Sequence, residues 1–361
     1  MTPRIGRSAA MTPRIGRSAA VKTLLAVSIM VLGLLTGCGS GQRNSPWVDD
    51  DVTFSADGLT LHGTYRHRAG ETGPAALLIS ESGRTDRNGD NSVAGPIGNM
   101  RQLAEYLSGH GVASLRYDKV GTGATGLGPY ATRPADVGSA VYTDGARAAV
   151  RFLAAQPGTA AERISVYALG EGTVHAMSIA DDTSAGAPRI HSLALLQPLA
   201  ARYLDLITAR VVADTAAAVR DGAKSQQQAD QVLGAWRAAV AQARNTGTAP
   251  ASLPDGLGAI LAPRNVKAVV ESDAIDPVEL AARIPAGTPV LLTCSDSDGQ
   301  ANCADMKPLA DALDHTALQY VQLKGVNHVL RDDPTDSVAA YAKPGPLSPQ
   351  LTTALDQFVT K

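Results

Sequence analysis

The 361-residue chain has few aromatic residues, only three cysteines and almost no net charge. Aromatic residues make up 4% of the chain, and the formal net charge is −2 at pH 7. So small a charge gives no general attraction to nucleic acid or to an anionic membrane surface. Metal, nucleotide and flavin signatures are also lacking. The segment GTGATG at 121–126 is not a dinucleotide-binding loop, because it continues into LGPYATRP instead of opening a helix. We therefore predict no cofactor, no metal ion and no nucleic-acid partner.

The apolar run near the N-terminus, TLLAVSIMVLGLL at 23–35, is shorter than the roughly 20 residues that a membrane-spanning helix needs. It follows basic residues and precedes Leu35, Thr36, Gly37 and Cys38, an ending that resembles a bacterial lipobox. Residues 1–37 are therefore predicted to be a signal peptide, and Cys38 the site of lipid attachment. A plain secretory signal with a chance cysteine is the alternative.

This reading makes the protein an exported lipoprotein, anchored through Cys38 on the extracytoplasmic face of the cell membrane. Residues 38–50 would form a flexible lipidated tether, with the folded domain at 51–361. The segment MTPRIGRSAA occurs twice, at 1–10 and 11–20, which indicates a duplicated or alternative start rather than a structural repeat.

Two cysteines remain, Cys294 and Cys303. An even pair in an exported protein most often forms a disulfide bond. Metal binding is the rival interpretation, but no further His or Cys stands at ligand spacing. We predict the disulfide.

Strand and helix patterns alternate along the predicted domain. A hairpin at 52–67 turns across Asp57 and Gly58. Short, near-continuous apolar runs, typical of strands buried on both faces, follow at 75–80, 112–118, 163–169, 190–197, 288–294 and 317–323. Helical patterns lie at 100–108, 137–155, 173–180, 304–314 and 350–358. This order predicts an α/β fold: a mostly parallel sheet with helices on both faces.

One helical stretch interrupts the alternation. Residues from about 199 to 265 are rich in Ala, Gln and Arg at helical spacing. We interpret them as an insertion that covers the carboxyl edge of the sheet, where ligands bind in open α/β folds. The insertion would act as a lid, although a structural helical layer without gating fits the pattern equally well.

The segment VYALGEGTVHAM at 166–177 has the setting of a nucleophile elbow, in which a tight strand-to-helix turn lifts a reactive side chain above the sheet. The flanking small residues are Ala168 and Gly172, so the nucleophile position is Gly170, which has no side chain. Shifting the frame to Glu171 puts Leu169 where a small residue is needed. Thr173 would face away along the following helix.

Four segments carry a resemblance to a known family: SESGRTDRNGD at 80–90, LRYDKVGTGATG at 115–126, CSDSDGQA at 294–301 and GVNHVL at 325–330. Their order and motifs resemble the α/β-hydrolase superfamily, in particular the bacterial serine esterases and acyl hydrolases. The resemblance covers roughly residues 52 to 361 and implies the α/β-hydrolase fold with a helical lid insertion.

The resemblance implies that His328 is the general base and Asp298 the carboxylate that orients it, with Asp296 as the less favoured acid. The oxyanion hole would use the backbone N–H of Glu171 and one near Ser82 or Gly83. Two residues depart from the family pattern: Glu81 replaces a glycine and Arg84 a proline. A Glu81 carboxylate that points inward would repel an oxyanion, and one that points to solvent would not.

One segment is interpreted as structural, holding the loop above the sheet; it contains Arg116, Tyr117, Asp118, Lys119, Gly121 and Gly123. Six histidines are interpreted as structural or solvent-exposed: His62, His67, His110, His175, His191 and His315.

Three functions compete. The favoured one is a pseudo-hydrolase that binds an acyl or lipid-like ligand, or a partner, without turnover, because Gly170 leaves no nucleophile. The second is an active ester or thioester hydrolase in which His328 and Asp298 activate water. The third is an envelope protein without a ligand pocket, whose lid packs over a filled interior beside Gly170.

Overall fold

An eight-stranded sheet organises the chain in the computed structural model, which describes residues 46–187 and 189–359. The strands are β1 Trp47–Ala56, β2 Leu59–Arg68, β3 Gly73–Ile79, β4 Ala113–Tyr117, β5 Thr159–Leu169, β6 Ser192–Leu196, β7 Pro289–Ser295 and β8 Ala317–Leu323. Their order across the sheet is β1-β2-β4-β3-β5-β6-β7-β8. Strands β1 and β2 pair antiparallel with their neighbours, and the other pairs are parallel. The predicted lead-in hairpin and mostly parallel sheet are confirmed.

Helices cover both faces of this sheet. They are α1 Asn99–Gly109, α2 Ser139–Ala154, α3 Gly172–Ala180, α4 Tyr203–Arg220, α5 Gln226–Thr246, α6 Val266–Ala274, α7 Pro277–Ala281, α8 Lys307–Ala312, α9 Val338–Tyr341 and α10 Pro349–Val359. One hydrophobic cluster joins the sheet to α2, α3 and α7, and a second joins its other face to α1 and α10. Strands β4 and β6 are buried at every residue. Strand β6 is apolar after Ser192, as expected of a strand covered on both faces, whereas β4 also buries Ser114 and Arg116.

The domain begins earlier than the predicted boundary at residue 51. Strand β1 starts at Trp47, which pairs with Arg68 at the end of β2. The Arg68 guanidinium lies over the Trp47 ring at 4.8 Å, a cation–π contact that fixes this end of the hairpin. Residues 47–50 therefore belong to the sheet and not to the tether.

The predicted signal peptide at 1–37, the lipid-attachment residue Cys38 and the tether up to residue 45 lie outside the described residues. Within the described ranges, no helix has the length and apolar character required to cross a membrane.

Helices α4, α5 and α6 form a layer with a hydrophobic cluster of its own, centred on the fully buried Trp236. This layer extends past the predicted end at residue 265, because Val269 of α6 packs in the same cluster. The buried carboxylate of Asp273 holds the three helices together: it accepts from the Leu204 N–H at 2.9 Å and from the Arg244 guanidinium at 2.7 Å. The opening and closing of this layer as a lid stays a prediction.

Candidate active site

The turn between β5 and α3 has the geometry of a nucleophile elbow with glycine at its tip. Gly170 adopts φ +55°, a left-handed conformation, and its N–H donates to the Leu196 carbonyl at 3.2 Å. A Cβ at Gly172 would lie 2.8 Å from two backbone carbonyl oxygens, so this position requires glycine. Thr173 is fully buried and donates its hydroxyl to the Gly170 carbonyl, which removes it as a replacement nucleophile. The elbow is present and its reactive side chain is missing.

The structure brings His328 and Asp298 together at the carboxyl edge of the sheet. Asp298 follows β7 and His328 follows β8, and these strands are neighbours. The Asp298 Oδ2 atom lies 2.8 Å from Nδ1 of His328. The other oxygen, Oδ1, accepts hydrogen bonds from the N–H groups of Gln300 and Ala301 at 2.7 and 3.0 Å. The predicted disulfide forms between Cys294 and Cys303 and closes the loop that carries Asp298.

Glu81 occupies the side of His328 that would face a serine hydroxyl. Its Oε2 atom lies 3.2 Å from His328 Nε2, and its side chain is 13% exposed. Lys119, from the RYDK segment, donates its ammonium group to the backbone carbonyls of Ser80 and Glu81 and so fixes the segment that carries this carboxylate. The carboxylate therefore points inward, and its direct contact with His328 is the site interaction that sequence reasoning missed.

His328 thus lies between two carboxylates, with 1% of its surface exposed. Burial by itself lowers the pKa of this imidazole, but Asp298 and Glu81 outweigh burial and raise the pKa well above its ordinary value. Burial likewise raises the pKa of Asp298, but the facing imidazolium and three hydrogen bonds lower it on balance. Both carboxylates therefore favour the protonated form of His328.

A cavity of about 740 Å³ reaches this centre. His328, Ser82 and Glu171 line it, together with residues of α4 that are apolar, such as Leu206 and Ile207, and charged, Arg210 and Asp214. Mainly polar residues from the segments after β7 and β8 complete the lining. A cavity of this size is in the range of small-molecule sites. The structure therefore contradicts the expectation of a filled interior under the helical layer.

Two of the three predicted oxyanion-hole residues line the cavity. The backbone N–H groups of Glu171 and Ser82 donate no hydrogen bond within the described residues, so both remain available to a ligand. Gly83 is exposed and does not line the cavity. The Glu171 carboxylate accepts from the Ser272 hydroxyl of α6 at 2.9 Å, which links the elbow to the helical layer.

Similarity to known proteins is found among solved structures. No protein-family model matches the chain, and no curated protein matches it significantly. Among solved structures, the esterase Pf2001 from Pyrococcus furiosus matches with a TM-score of 0.51 and 13% identity, covering 87% of this chain and 92% of that chain. DcsB, solved with its substrate analogue, matches with a TM-score of 0.51 and 15% identity, covering 87% and 98%. The α/β hydrolase GrgF from Penicillium sp. sh18 has a TM-score of 0.49 and 18% identity, covering 78% and 91%.

The fold is that of the α/β-hydrolases. The predicted fold class is therefore confirmed. At these identities the likeness extends to the fold alone, and the chemistry has to be derived from the residues of this chain.

The RYDK segment in this α/β-hydrolase fold has the structural role expected of it. The Asp118 carboxylate is 2% exposed and accepts from the backbone N–H groups of Arg87 and Ala124. A Cβ at Gly123 would lie 2.2 Å from Asp118 Cγ, so the loop closes only over glycine. Lys119 does more than was expected, because it positions the segment that carries Glu81.

The remaining histidines lie outside the site. His67 bonds to Asp50, His110 contacts Asp356, and His315 bonds to the Ile284 carbonyl. His175 is buried against the Thr143 hydroxyl at 2.9 Å, and burial lowers its pKa to about 4.

His175 predicts a loss of stability in mild acid. Between pH 6.5 and about 4 the unfolded chain binds a proton that the folded His175 does not, so stability falls as the pH falls through this window. At about 1.4 kcal/mol per pKa unit, the loss is on the order of 3 kcal/mol. Urea unfolding at pH 6.5 and pH 4.5 should show a smaller loss in His175→Gln than in the parent. Equal losses in the two proteins would contradict a buried neutral His175.

Proposed function

We propose that the protein is a pseudo-hydrolase: a membrane-anchored lipoprotein of α/β-hydrolase fold that binds an acyl or lipid-like ligand and does not turn over esters. The contact between Glu81 and His328 Nε2, beside an elbow with no side chain at Gly170, carries this proposal. This Glu81–His328 contact takes the place of the serine–histidine hydrogen bond on which serine catalysis depends.

Three requirements of acyl transfer are unmet at this centre. No hydroxyl is present at Gly170, and loss of a triad serine lowers turnover by a factor on the order of 10⁶. Asp298 and Glu81 raise the pKa of His328 well above its ordinary value, which favours the protonated imidazole and disfavours a role as general base. The Glu81 carboxylate next to the elbow also repels the negative charge that develops on a tetrahedral intermediate.

The walls of the cavity support an amphiphilic ligand. The α4 face and the residues before it supply apolar surface, including Leu199, Tyr203 and Leu206. Polar groups also line the cavity, on α4 at Arg210 and Asp214 and on the segments after β7 and β8, where they can hydrogen-bond a head group. A lipid anchor at Cys38, which the sequence motif supports, would keep this cavity at a lipid surface.

Water activation by His328 is the competing function, and the geometry disfavours it. A water molecule activated by this imidazole has to bond to Nε2, and Glu81 already holds that atom at 3.2 Å. The absence of ester turnover can be measured with purified protein starting after Cys38 and p-nitrophenyl butyrate and decanoate. A rate that depends on His328 and exceeds the rate without protein would overturn the pseudo-hydrolase.

Ligand binding is tested by filling the cavity from α4. Ala209 lines the cavity, whereas Val212 lies on the same helix, is 37% exposed and does not line it. Ala209→Trp is expected to weaken binding of a neutral, non-hydrolysable decanoyl amide that carries a dansyl group by at least about 10-fold, a loss of about 1.4 kcal/mol. Val212→Trp is the matched control and should bind like the parent. Equal affinity in both variants would exclude this cavity as the site.

A further inference from the structure

A second cavity, of about 530 Å³, lies beside β1, β2 and β4 and shares no lining residue with the cavity that reaches His328. Of the described residues that line it, four are aspartates, three are arginines and only Ala124 has an apolar side chain. Burial against such a lining is costly for an acyl chain's polar surroundings and favourable for groups that complete their hydrogen bonds. The second cavity therefore favours a small ionic ligand.

The Arg116 guanidinium is a buried cation of this cavity with hydrogen-bond donors to spare. Arg116 is 6% exposed, and burial lowers its pKa. Its Nε donates to the Asn88 side-chain oxygen at 3.2 Å, but its terminal nitrogens donate no hydrogen bond in the part of the chain that the structure describes. Its ion pair with Asp49 spans 3.9 Å, which is too long for a hydrogen bond. The open end of a guanidinium group matches a carboxylate or a phosphate.

Asn88 ties a second guanidinium and a carboxylate to the same cavity. Its carbonyl accepts from the N–H of Arg101, in the first turn of α1, at 3.3 Å, and its own N–H donates to Asp86 at 2.8 Å. The Arg101 side chain makes no hydrogen bond or ion pair within residues 46–187 and 189–359. Through its side chain, carbonyl and N–H, Asn88 thus joins the segments that carry Arg116, Arg101 and Asp86.

Three of the four aspartates have an arginine partner. Asp118 and Asp51 each lie 3.0 Å from Arg87, and Asp49 lies 3.1 Å from Arg66. Among the described residues, these pairs leave one aspartate of the cavity, Asp86, without an arginine.

The Asp86 carboxylate favours an added positive charge. Its Oδ1 atom accepts two backbone N–H groups, at 2.8 and 3.0 Å, while Oδ2 accepts no hydrogen bond from the described residues. Burial, and to a smaller extent the like charges of Asp90 and Asp118, raise the pKa of Asp86. A ligand cation beside it would offset this repulsion.

We propose that the second cavity binds a small zwitterion, with the anionic group of the ligand on Arg116 and Arg101 and its ammonium group on Asp86. A simple anion would use the two guanidinium groups but would be repelled by the carboxylate that faces them. A ligand with both charges satisfies all three side chains. A free α-amino acid and a phosphoethanolamine head group share this chemistry. The inference does not depend on the ligand of the first cavity, because different residues form the two cavities.

Isothermal titration calorimetry of the full chain in a neutral detergent tests the inference in two arms. The first arm compares L-serine with N-acetyl-L-serine, which lacks the ammonium group, and with L-serinamide, which lacks the carboxylate. The second compares glycerophosphoethanolamine with its N-acetyl derivative. The zwitterion is expected to bind at least about 10-fold more tightly than its analogues, because each analogue loses a charge-assisted hydrogen bond. Discrimination in the first arm alone assigns the site to a free amino acid, and in the second alone to a lipid head group.

Two variants and a control assign the contacts. Arg101→Gln and Asp86→Asn should each weaken binding of the zwitterion by at least about 10-fold. Asp86→Asn should also abolish the preference over the N-acetyl analogue, whereas Arg101→Gln should retain it. Arg151→Gln changes an exposed arginine of α2 that lines neither cavity, and it should bind like the parent.

Three results would overturn the inference. Equal affinity for a zwitterion and its N-acetyl analogue would make the cavity a site for simple anions. Binding that both Arg101→Gln and Asp86→Asn leave unchanged would place the ligand elsewhere on the protein. Absence of binding in both arms would leave the open guanidinium groups to solvent.

Discussion

Ester hydrolysis is expected to appear when Glu81→Gly and Gly170→Ser are combined in one chain. The double variant should exceed the parent by at least about 10³-fold in kcat/KM for p-nitrophenyl butyrate, since a triad serine contributes on the order of 10⁶ in turnover. The elbow geometry, the Asp298–His328 pair and the free N–H groups are already in place. Removing the Glu81 carboxylate returns His328 Nε2 to the serine and lowers the repulsion of an oxyanion.

Gly170→Ser alone is expected to give much less activity. A Cβ at this position lies 3.1 Å from His328 Nε2, so the new hydroxyl would compete with the Glu81 carboxylate for the same nitrogen. Glu81→Gly alone frees the imidazole but adds no nucleophile. Labelling by a fluorophosphonate probe reports on the serine directly and should be fast only in the double variant. Equal activity in Gly170→Ser and the double variant would show that Glu81 does not obstruct the site.

His328→Ala is expected to destabilise the protein by about 3–5 kcal/mol at pH 7. The substitution leaves the buried Asp298 and the nearly buried Glu81 without the cation between them. Removing one partner of a buried ion pair lowers the free energy of unfolding by this amount, because the other charge stays buried without compensation. His110→Ala is the control, because His110 is 31% exposed in its contact with Asp356 and should lose less than about 1 kcal/mol. Urea unfolding monitored by circular dichroism measures both free energies of unfolding.

The destabilisation of His328→Ala should depend on pH in a defined direction. The pKa of His328 is raised, so its stabilising contribution is complete below the unfolded value of about 6.5 and is lost as the pH rises through the folded pKa. The pKa of Asp298 is lowered, so its contribution is present above about 3.9 and is lost as the pH falls through the folded pKa. The difference between parent and variant is therefore largest between about pH 4 and about pH 6.5, and it declines as the pH rises further toward the folded pKa of His328. A loss below about 1 kcal/mol at pH 7 would contradict the charged centre.

Much of this fold follows from local patterns. Strand β6 is apolar at every residue except Ser192 because both of its faces are covered, and that pattern is typical of a parallel sheet before any contact is known. The end of the helical layer was harder to predict. Helix α6 has little amphipathic pattern of its own. Its Asp273 joins it to the helical layer, because the hydrogen-bond partners of this carboxylate lie on α4 and α5.

The candidate site was predictable in its positions but not in its contacts. Asp298 and His328 each follow a strand, and neighbouring parallel strands bring such residues to one edge. The direction of the Glu81 side chain depends on contacts between segments far apart in sequence. One of them is the hydrogen bond that the Lys119 ammonium group donates to the Glu81 backbone carbonyl. The available signal was that two of the three departures from the esterase pattern, Gly170 and Glu81, fall in segments that meet at the same candidate site.

The ionisation state of His328 tests the central claim most directly. Two-dimensional ¹H–¹⁵N NMR of the imidazole nitrogens in ¹⁵N-histidine-labelled protein, assigned with His328→Ala, reports whether each nitrogen carries a proton. Both ring nitrogens of His328 are expected to be protonated at pH 7.5, and Glu81→Gln is expected to move the titration of His328 to lower pH. A neutral His328 at pH 7.5, with Nε2 unprotonated and unaffected by Glu81→Gln, would contradict the account and restore His328 as an available general base.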